Sequence, residues 1–149
     1  MHKILALIMA IAAMPLSATA GPDRVSVLLG SRHFGATTAF QEVNPGVFLT
    51  WERKLDWTVG VFRNSYGRGA LAGTVAMPLY EEGRFSLDAF LGAAYYPEDG
   101  RNFKVHVGDV IPIGGLQARY GNVFMQVLPM DGSVADAVVS FGLTFGLGE

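Results

Sequence analysis

The side chains able to do chemistry are few, and three of them end apolar segments of the chain. The sequence has three histidines and no cysteine. His33 closes one apolar segment, and Asn64 and Ser65 close another in the stretch FRNSYG. Histidine is a frequent general base in enzymes, and serine is a frequent oxygen nucleophile. Taken alone, however, His33 is a solvated histidine near a turn, and Asn64 and Ser65 are ordinary turn residues.

No local motif assigns these residues to a known kind of site. The histidines are scattered, and without cysteine they provide no ligand spacing for a metal. The chain has neither a phosphate-binding loop nor a G-x-S-x-G elbow. We therefore expect no metal site and no cofactor, and the fold must decide where these side chains lie.

The first 20 residues predict export. A short positive start is followed by an apolar run over residues 4–16 and by Ala18-Thr19-Ala20, which is the build of a signal peptide cleaved after Ala20. The run is too short for a spanning helix, which needs about 20 apolar residues. Residues 21–149 are then expected to form one domain. Without cysteine, that domain has neither a lipoprotein anchor nor disulfides.

The composition of the exported part favours strands in a membrane. Charged residues make up 16% of the chain, against about 25% in an average soluble domain. The chain is also rich in glycine, with 19 residues. After the signal peptide no apolar run approaches the length of a spanning helix, so β-strands are the remaining way to cross a bilayer. No basic patch is visible, and nucleic-acid binding is not expected.

The clearest strand is the last one, DAVVSFGLTFGL, in which side chains alternate with a period of two. One face is continuously aliphatic and aromatic, and the other is small or polar. The segment RFSLDAFLGAAYY alternates in the same way. A membrane barrel turns its apolar face to lipid, so we expect these residues to point outward: Ala137, Val139, Phe141, Leu143, Phe145 and Leu147.

Eight such segments predict an all-β fold, an eight-stranded antiparallel transmembrane up-and-down β-barrel of the outer membrane. Short segments with turn residues such as RKLD, YEEG and PIGG separate the strands. In the seventh segment the apolar phase slips by one residue, which predicts a bulge at Gly121-Asn122. The predicted strands cover residues 25–34, 43–53, 57–66, 69–80, 84–96, 104–111, 116–128 and 136–147.

The barrel topology places the candidate residues at one end. An even-stranded barrel has both termini in the periplasm and its longer loops outside. The first and third strands both run outward, so His33, Asn64 and Ser65 are expected on the outer rim, within reach of each other.

Two further polar residues are expected inside the barrel. His106 is predicted on the lumen face of the sixth strand, with a packing or hydrogen-bonding role. Asp88 is also predicted inside. A buried carboxylate needs a partner, for which Arg84 and Arg119 are the candidates.

The order of these pieces resembles the outer-membrane lipid A palmitoyltransferase (PagP) family. The family has a histidine in its first outer loop, which corresponds to His33. Its further motifs resemble NPGVF (residues 44–48), FRNSY (residues 62–66), Ala72-Gly73 and YGNVFMQVLPMDG (residues 120–132). These motifs occur in the same order and span most of the chain.

The resemblance implies an activity and roles. Members move a palmitoyl chain from a phospholipid to a hydroxyl-bearing chain of lipid A, and the barrel interior measures the acyl chain. The family's His-Asp-Ser triad maps onto His33, Asn64 and Ser65. His33 would be the base, and Ser65 the nucleophile or an oxyanion donor. The partners would be a phospholipid donor, the lipid A acceptor and outer-membrane lipids, with the protein a monomer. Small lumen residues would leave room for the acyl chain: Ser140, Gly142, Thr144 and Gly146.

The chain departs from the family at three places. Asn64 stands where aspartate is usual, and asparagine cannot stabilise an imidazolium by charge. Only residues 21–24 precede the first strand, which leaves little room for the family's amphipathic helix. Asn122 replaces a proline thought to loosen strand pairing and admit lipid, a purpose that the predicted bulge could serve instead.

Three other functions remain open. A non-enzymatic barrel of the structural or adhesion type would have a filled lumen and no approach of His33 to Ser65. A lipid A deacylase is a second enzymatic reading, although its usual His-Ser neighbours are absent. A soluble periplasmic barrel that binds an apolar ligand would turn Phe141, Leu143 and Phe145 inward.

Overall fold

Eight antiparallel strands close into one barrel in the computed structural model, which describes residues 21–148. Each strand pairs with its neighbours in the sequence, and β1 pairs with β8. This confirms the predicted all-β, eight-stranded antiparallel fold. The predicted signal peptide lies outside the described residues. The strands are β1 Arg24–Phe34, β2 Val43–Trp51, β3 Asp56–Arg63, β4 Gly69–Glu82, β5 Phe85–Tyr95, β6 Val110–Tyr120, β7 Val123–Pro129 and β8 Ala137–Gly146.

The apolar face of each alternating strand lies on the outside of the barrel. In β8, Phe141 is 47% exposed and Phe145 is 41% exposed, whereas Ser140 and Thr144 are buried. β5 follows the same rule, with Leu91 exposed and Asp88 buried. The predicted outward direction of Phe141, Leu143 and Phe145 is therefore confirmed, and the alternative barrel that turns them inward is wrong. Residues 21–148 contain no helix long and apolar enough to cross a membrane.

The sixth and seventh predicted strands are wrong in their bounds. Residues 104–109 belong to the connection before β6, and the glycine pair read as a turn, Gly114-Gly115, lies within β6. Gly121 and Asn122 are not a bulge but the two-residue turn of the β6–β7 hairpin, because Tyr120 pairs directly with Val123. Gly121 has a φ of +59°, as such turns require. Residues that flank a two-residue turn face the same side, and this produces the phase slip in the sequence.

Two predictions that depended on those bounds change with them. His106 does not face the lumen. It is exposed in the β5–β6 connection, where its Nδ1 lies 3.0 Å from the Gly108 carbonyl oxygen. Asn122 does not loosen the strands, because its Nδ2 donates to the Thr144 carbonyl at 2.8 Å.

The two ends of the barrel differ. The connections 35–42, 64–68, 96–109 and 130–136 lie at what we call the loop end, and the short connections 52–55, 83–84 and 121–122 lie at the turn end. β1 and β3 both run towards the loop end, because alternate strands of an antiparallel barrel are parallel to each other. The topology therefore brings the end of β1 and the end of β3 to the same rim.

An ionic network lies in the lumen near the turn end. The carboxylate of Asp88, 1% exposed, lies 3.6 Å from Arg119 Nε. Arg119 also donates to Ser86 Oγ at 2.8 Å and contacts Glu52 at 3.4 Å. Of the two expected partners of Asp88, Arg119 is thus the one found. The Arg84 guanidinium instead lies over the Tyr120 ring.

The ladder between β6 and β7 is short. Their pairing runs only from Tyr120 with Val123 to Leu116 with Val127. β7 continues towards the loop end as far as Pro129, where it pairs with β8 alone. Among the described residues, Val110–Gly115 of β6 have no partner in β7. Six of the eleven residues of β6 therefore have no ladder partner in β7.

Candidate functional site

His33 and Ser65 meet at the loop end. The His33 Nε2 atom lies 2.7 Å from the Ser65 Oγ atom, a hydrogen-bond distance. His33 is the penultimate residue of β1, and Ser65 follows β3 by two positions. The sequence topology put both on one rim, and the structure brings their polar atoms into contact.

Asn64 shapes the turn that presents Ser65. Its side chain is fully buried, and Oδ1 accepts hydrogen bonds from the backbone N–H groups of Tyr66 and Arg68, each at 3.0 Å. The Asn64 N–H donates to the Arg68 carbonyl at 2.7 Å. Asparagine often closes turns in this way. This residue therefore fixes the backbone on both sides of Ser65.

The expected orienting contact between Asn64 and His33 is not formed. Asn64 Nδ2 and His33 Nδ1 are both buried and have no hydrogen-bond partner in the described chain. The amide orientation of Asn64 is fixed by the two backbone donors that Oδ1 accepts. The structure thus joins two members of the expected triad, and it gives the third a role in the backbone.

Phe40 holds the imidazole from the other side. The ring of Phe40 stacks on His33 with centroids 4.7 Å apart, and it meets the edge of Tyr66 at 5.5 Å. The connection that carries Phe40 is pinned to the site, because the Gln41 N–H donates to the Ser65 carbonyl at 2.8 Å. Sequence reasoning missed Phe40, since a single aromatic residue in a long connection gives no periodic signal.

A cavity of about 150 Å³ opens beside this pair and extends into the barrel. His33 and Ser65 both line it. Its polar lining includes Gln117 and Gln126, whose side chains hydrogen-bond to each other at 2.8 Å. Its apolar lining includes Phe48, Phe62, Ala72, Phe90, Ile113 and Leu128. A lining of this kind suits a hydrocarbon chain.

Of the four small lumen residues expected to make room, only Ser140 lines the cavity. A Cβ atom on Gly142 would lie 2.7 Å from a ring atom of Phe124, so that ring already fills the space. Thr144 is fully buried and lies 2.9 Å from Ser26 through their hydroxyl groups. Gly146, at the end of β8, is exposed. Three of the four expected residues thus make no room in the cavity, and at Gly142 the reason is the Phe124 ring.

The β3–β4 and β5–β6 connections are tied together over the site. Arg68 contacts Asp99 at 2.6 Å and Glu98 at 3.2 Å. The hydrogen bond to Asp99 raises the pKa of the Arg68 guanidinium. Burial raises the pKa of the Tyr66 and Tyr96 phenols, so both stay neutral and add no charge to the rim.

The site combines a hydroxyl group and an imidazole with the cavity beside them. Among residues 21–148 there is no group of three or more His, Cys, Asp and Glu side chains that could hold a metal ion. A serine hydroxyl in contact with an imidazole, beside an apolar cavity, is an arrangement suited to acyl transfer. No protein-family model matches this sequence, and no curated protein matches it either.

Proposed function

We propose that this protein is an outer-membrane acyltransferase that moves a palmitoyl-type chain from a phospholipid to lipid A, similar to the PagP family. The observation that carries the proposal is the 2.7 Å contact between His33 Nε2 and Ser65 Oγ at the border of a largely apolar cavity. The base and the hydroxyl group lie where the carbonyl of an acyl chain held in the cavity would end.

His33 is the proposed base. In the tautomer that carries its proton on Nδ1, Nε2 accepts the proton of the attacking hydroxyl group, that of Ser65 or of lipid A, while its oxygen bonds to the acyl carbonyl carbon. The proton then passes to the alcohol oxygen of the donor lipid as the donor's ester bond breaks. Where Ser65 is the nucleophile, a lipid A hydroxyl takes the acyl chain from it in a second step of the same kind and regenerates the serine. No described residue hydrogen-bonds to Nδ1, so the imidazolium formed in this step lacks the support that a partnered aspartate gives. We therefore expect turnover to be slow for a serine–histidine pair.

The outside of the barrel supports a place in a bilayer. Large apolar side chains along the strands are half exposed, among them Val59, Leu71 and Leu91. Exposed apolar area of this extent on every side of a closed barrel is unfavourable in water and favourable against lipid. We infer that a lipid reaches the cavity between β6 and β7 towards the loop end, because the two strands have no ladder pairs there that would have to break.

Mass spectrometry of lipid A tests the proposal directly. Lipid A is compared between cells with and without the protein, beside His33→Ala, Ser65→Ala and the control His106→Ala. We expect a palmitate-sized gain in mass that both site variants lose and the control retains. A loss of mass would indicate a deacylase, and an unchanged lipid A with a correctly folded barrel would support the non-enzymatic alternative.

A further inference from the structure

Asn44 joins β1, which carries His33, to β3, which ends two residues before Ser65. It lies on β2 with its side chain 3% exposed. Ser31 Oγ donates to Asn44 Oδ1 at 2.6 Å, and Asn44 Nδ2 donates to the Arg63 carbonyl at 3.2 Å. Ser31 precedes His33 by two residues, and Arg63 precedes Ser65 by two. One carboxamide therefore spans from β1 across β2 to β3, directly below the contact between Nε2 and Oγ.

The backbone ladder between β2 and β3 does not reach this position. The pairing of β2 with β3 ends at Gly46 and Phe62. Beyond that point Pro45 has no N–H to donate. On the other side, the β1–β2 register is shifted between Leu28 and Gly30. Main-chain bonds resume nearer the rim, from the Ser31 N–H to the Glu42 carbonyl at 2.9 Å and from the Gln41 N–H to the Ser65 carbonyl at 2.8 Å. The side chain of Asn44 thus bridges the gap between these bonds and the end of the β2–β3 ladder.

We propose that Asn44 is a positioning residue that sets the separation of His33 and Ser65. A hydrogen bond of 2.7 Å weakens steeply with displacement. A shift of β3 relative to β1 would therefore uncouple the imidazole from the hydroxyl group. Both atoms of the carboxamide are used, so aspartate at this position would keep the acceptor for Ser31 but place an oxygen against the Arg63 carbonyl. The catalytic meaning of this role rests on the proposed function, but the geometry can be tested without it.

A single introduced thiol reports the contact. The natural sequence has no cysteine, so a Ser65→Cys parent carries one thiol, beside the His33 imidazole. The pKa of a free thiol is about 8.5, and a neighbouring histidine lowers it. The rate of alkylation by iodoacetamide is measured against pH for the folded protein in detergent micelles. His33→Ala in the same parent gives the midpoint of an uncoupled thiol.

We expect Asn44→Ala and Asn44→Asp in the Ser65→Cys parent to move the alkylation midpoint upward, most of the way to the His33→Ala value. Ser31→Ala removes the hydrogen bond from Ser31 to Asn44 and should move the alkylation midpoint part of the way. This variant gives a result even if both Asn44 variants fold poorly. The matched control is Thr50→Val. Thr50 is also buried on β2, and its hydroxyl lies 2.8 Å from that of Thr58 on β3, but this pair lies towards the turn end.

The outcomes separate the two proposals. Unchanged midpoints in the folded Asn44 and Ser31 variants would overturn the positioning role. An equal shift in Thr50→Val would also overturn it, because general loosening would then explain the effect. A parent thiol that titrates like the His33→Ala variant would refute the contact itself. If the midpoints respond to Asn44 but wild-type cells gain no palmitate on lipid A, the proposed function fails and the positioning role stands.

Discussion

His33 Nε2 and Ser65 Oγ lie 2.7 Å apart, although one belongs to β1, the other follows β3, and β2 lies between them. The contact is possible because alternate strands of the barrel end at the same rim and because Asn44 and Gln41 tie the intervening segments to both. The contact thus depends on residues that are far apart in the sequence. Substitutions at single positions can test the role of each of them.

Removing either member should abolish most of the activity. His33→Ala and Ser65→Ala are expected to lower the rate of acyl transfer by about 10²-fold or more, since a positioned general base contributes about 10²–10⁴-fold. Both side chains are only partly buried, so the urea midpoint of unfolding should change little. The measurement uses purified protein with a labelled palmitoyl phospholipid and lipid A. His106→Ala, in an exposed connection, should retain full activity, and a site variant that matched it would contradict the proposed role.

The strand pattern could be predicted where alternation is unbroken. β5 and β8 were predicted within one residue at each end, because every second side chain in them faces the outside. β6 and β7 could not, since a turn of only Gly121-Asn122 leaves no polar gap and resembles a bulge. An alternation with a period of two shows which side chains share a face of the sheet, but it does not show which strand pairs with which. Only the pairing distinguishes a bulge within one strand from a two-residue turn between two strands.

The site could be predicted only in part. The rim position of His33 and Ser65 follows from counting strands. The role of Asn64 could not be predicted, because its side chain accepts two backbone hydrogen bonds that form only in the observed conformation of the turn. The roles of Phe40 and Asn44 depend on contacts between different strands and connections. Such contacts leave no pattern in one sequence.

Asn64 should tolerate aspartate but not alanine. Asn64→Asp keeps the oxygen that accepts from Tyr66 and Arg68, so the turn and the activity should stay close to wild type. Asn64→Ala removes the acceptor of two part-buried backbone hydrogen bonds and empties a fully buried side-chain position. An unsatisfied buried donor costs about 1–3 kcal/mol. We therefore expect a lower urea midpoint and lower activity.

Activity and urea unfolding of both variants decide between two roles of Asn64. A residue that orients His33 weakly would be improved by a carboxylate, and Asn64→Asp would then be faster than wild type. A residue that builds the turn predicts no gain. A clear increase in rate with an unchanged urea midpoint would contradict the turn-building role.

A charge on the outer wall should be costly only in a bilayer. Val59, in the middle of β3, is 51% exposed. Val59→Arg is expected to destabilise the folded barrel in lipid vesicles by about 2–4 kcal/mol, the usual cost for arginine on the lipid face near the midplane. Val105→Arg is the matched control, because Val105 is 42% exposed but lies in the β5–β6 connection. Equal stability of the two variants in urea titrations would argue against a membrane-spanning wall.

Filling the cavity at Ser140 should change which acyl chain is transferred. Ser140 is 9% exposed and lines the cavity from β8. A phenyl ring in its place would project into the space beside the apolar lining. Ser140→Phe is therefore expected to reduce transfer from a palmitoyl donor more than transfer from a decanoyl donor, since the longer chain needs the greater depth. The ratio of the two rates is measured in one competition assay.

The control for this change is the next residue along the same strand. Val139→Phe adds a similar ring to the opposite face of β8, where the side chain points away from the cavity. It should leave the ratio of palmitoyl to decanoyl transfer as in wild type. A ratio that shifts equally in both variants would mean that the added bulk disturbs the strand. A ratio unchanged in a folded Ser140→Phe variant would show that the acyl chain does not lie beside Ser140.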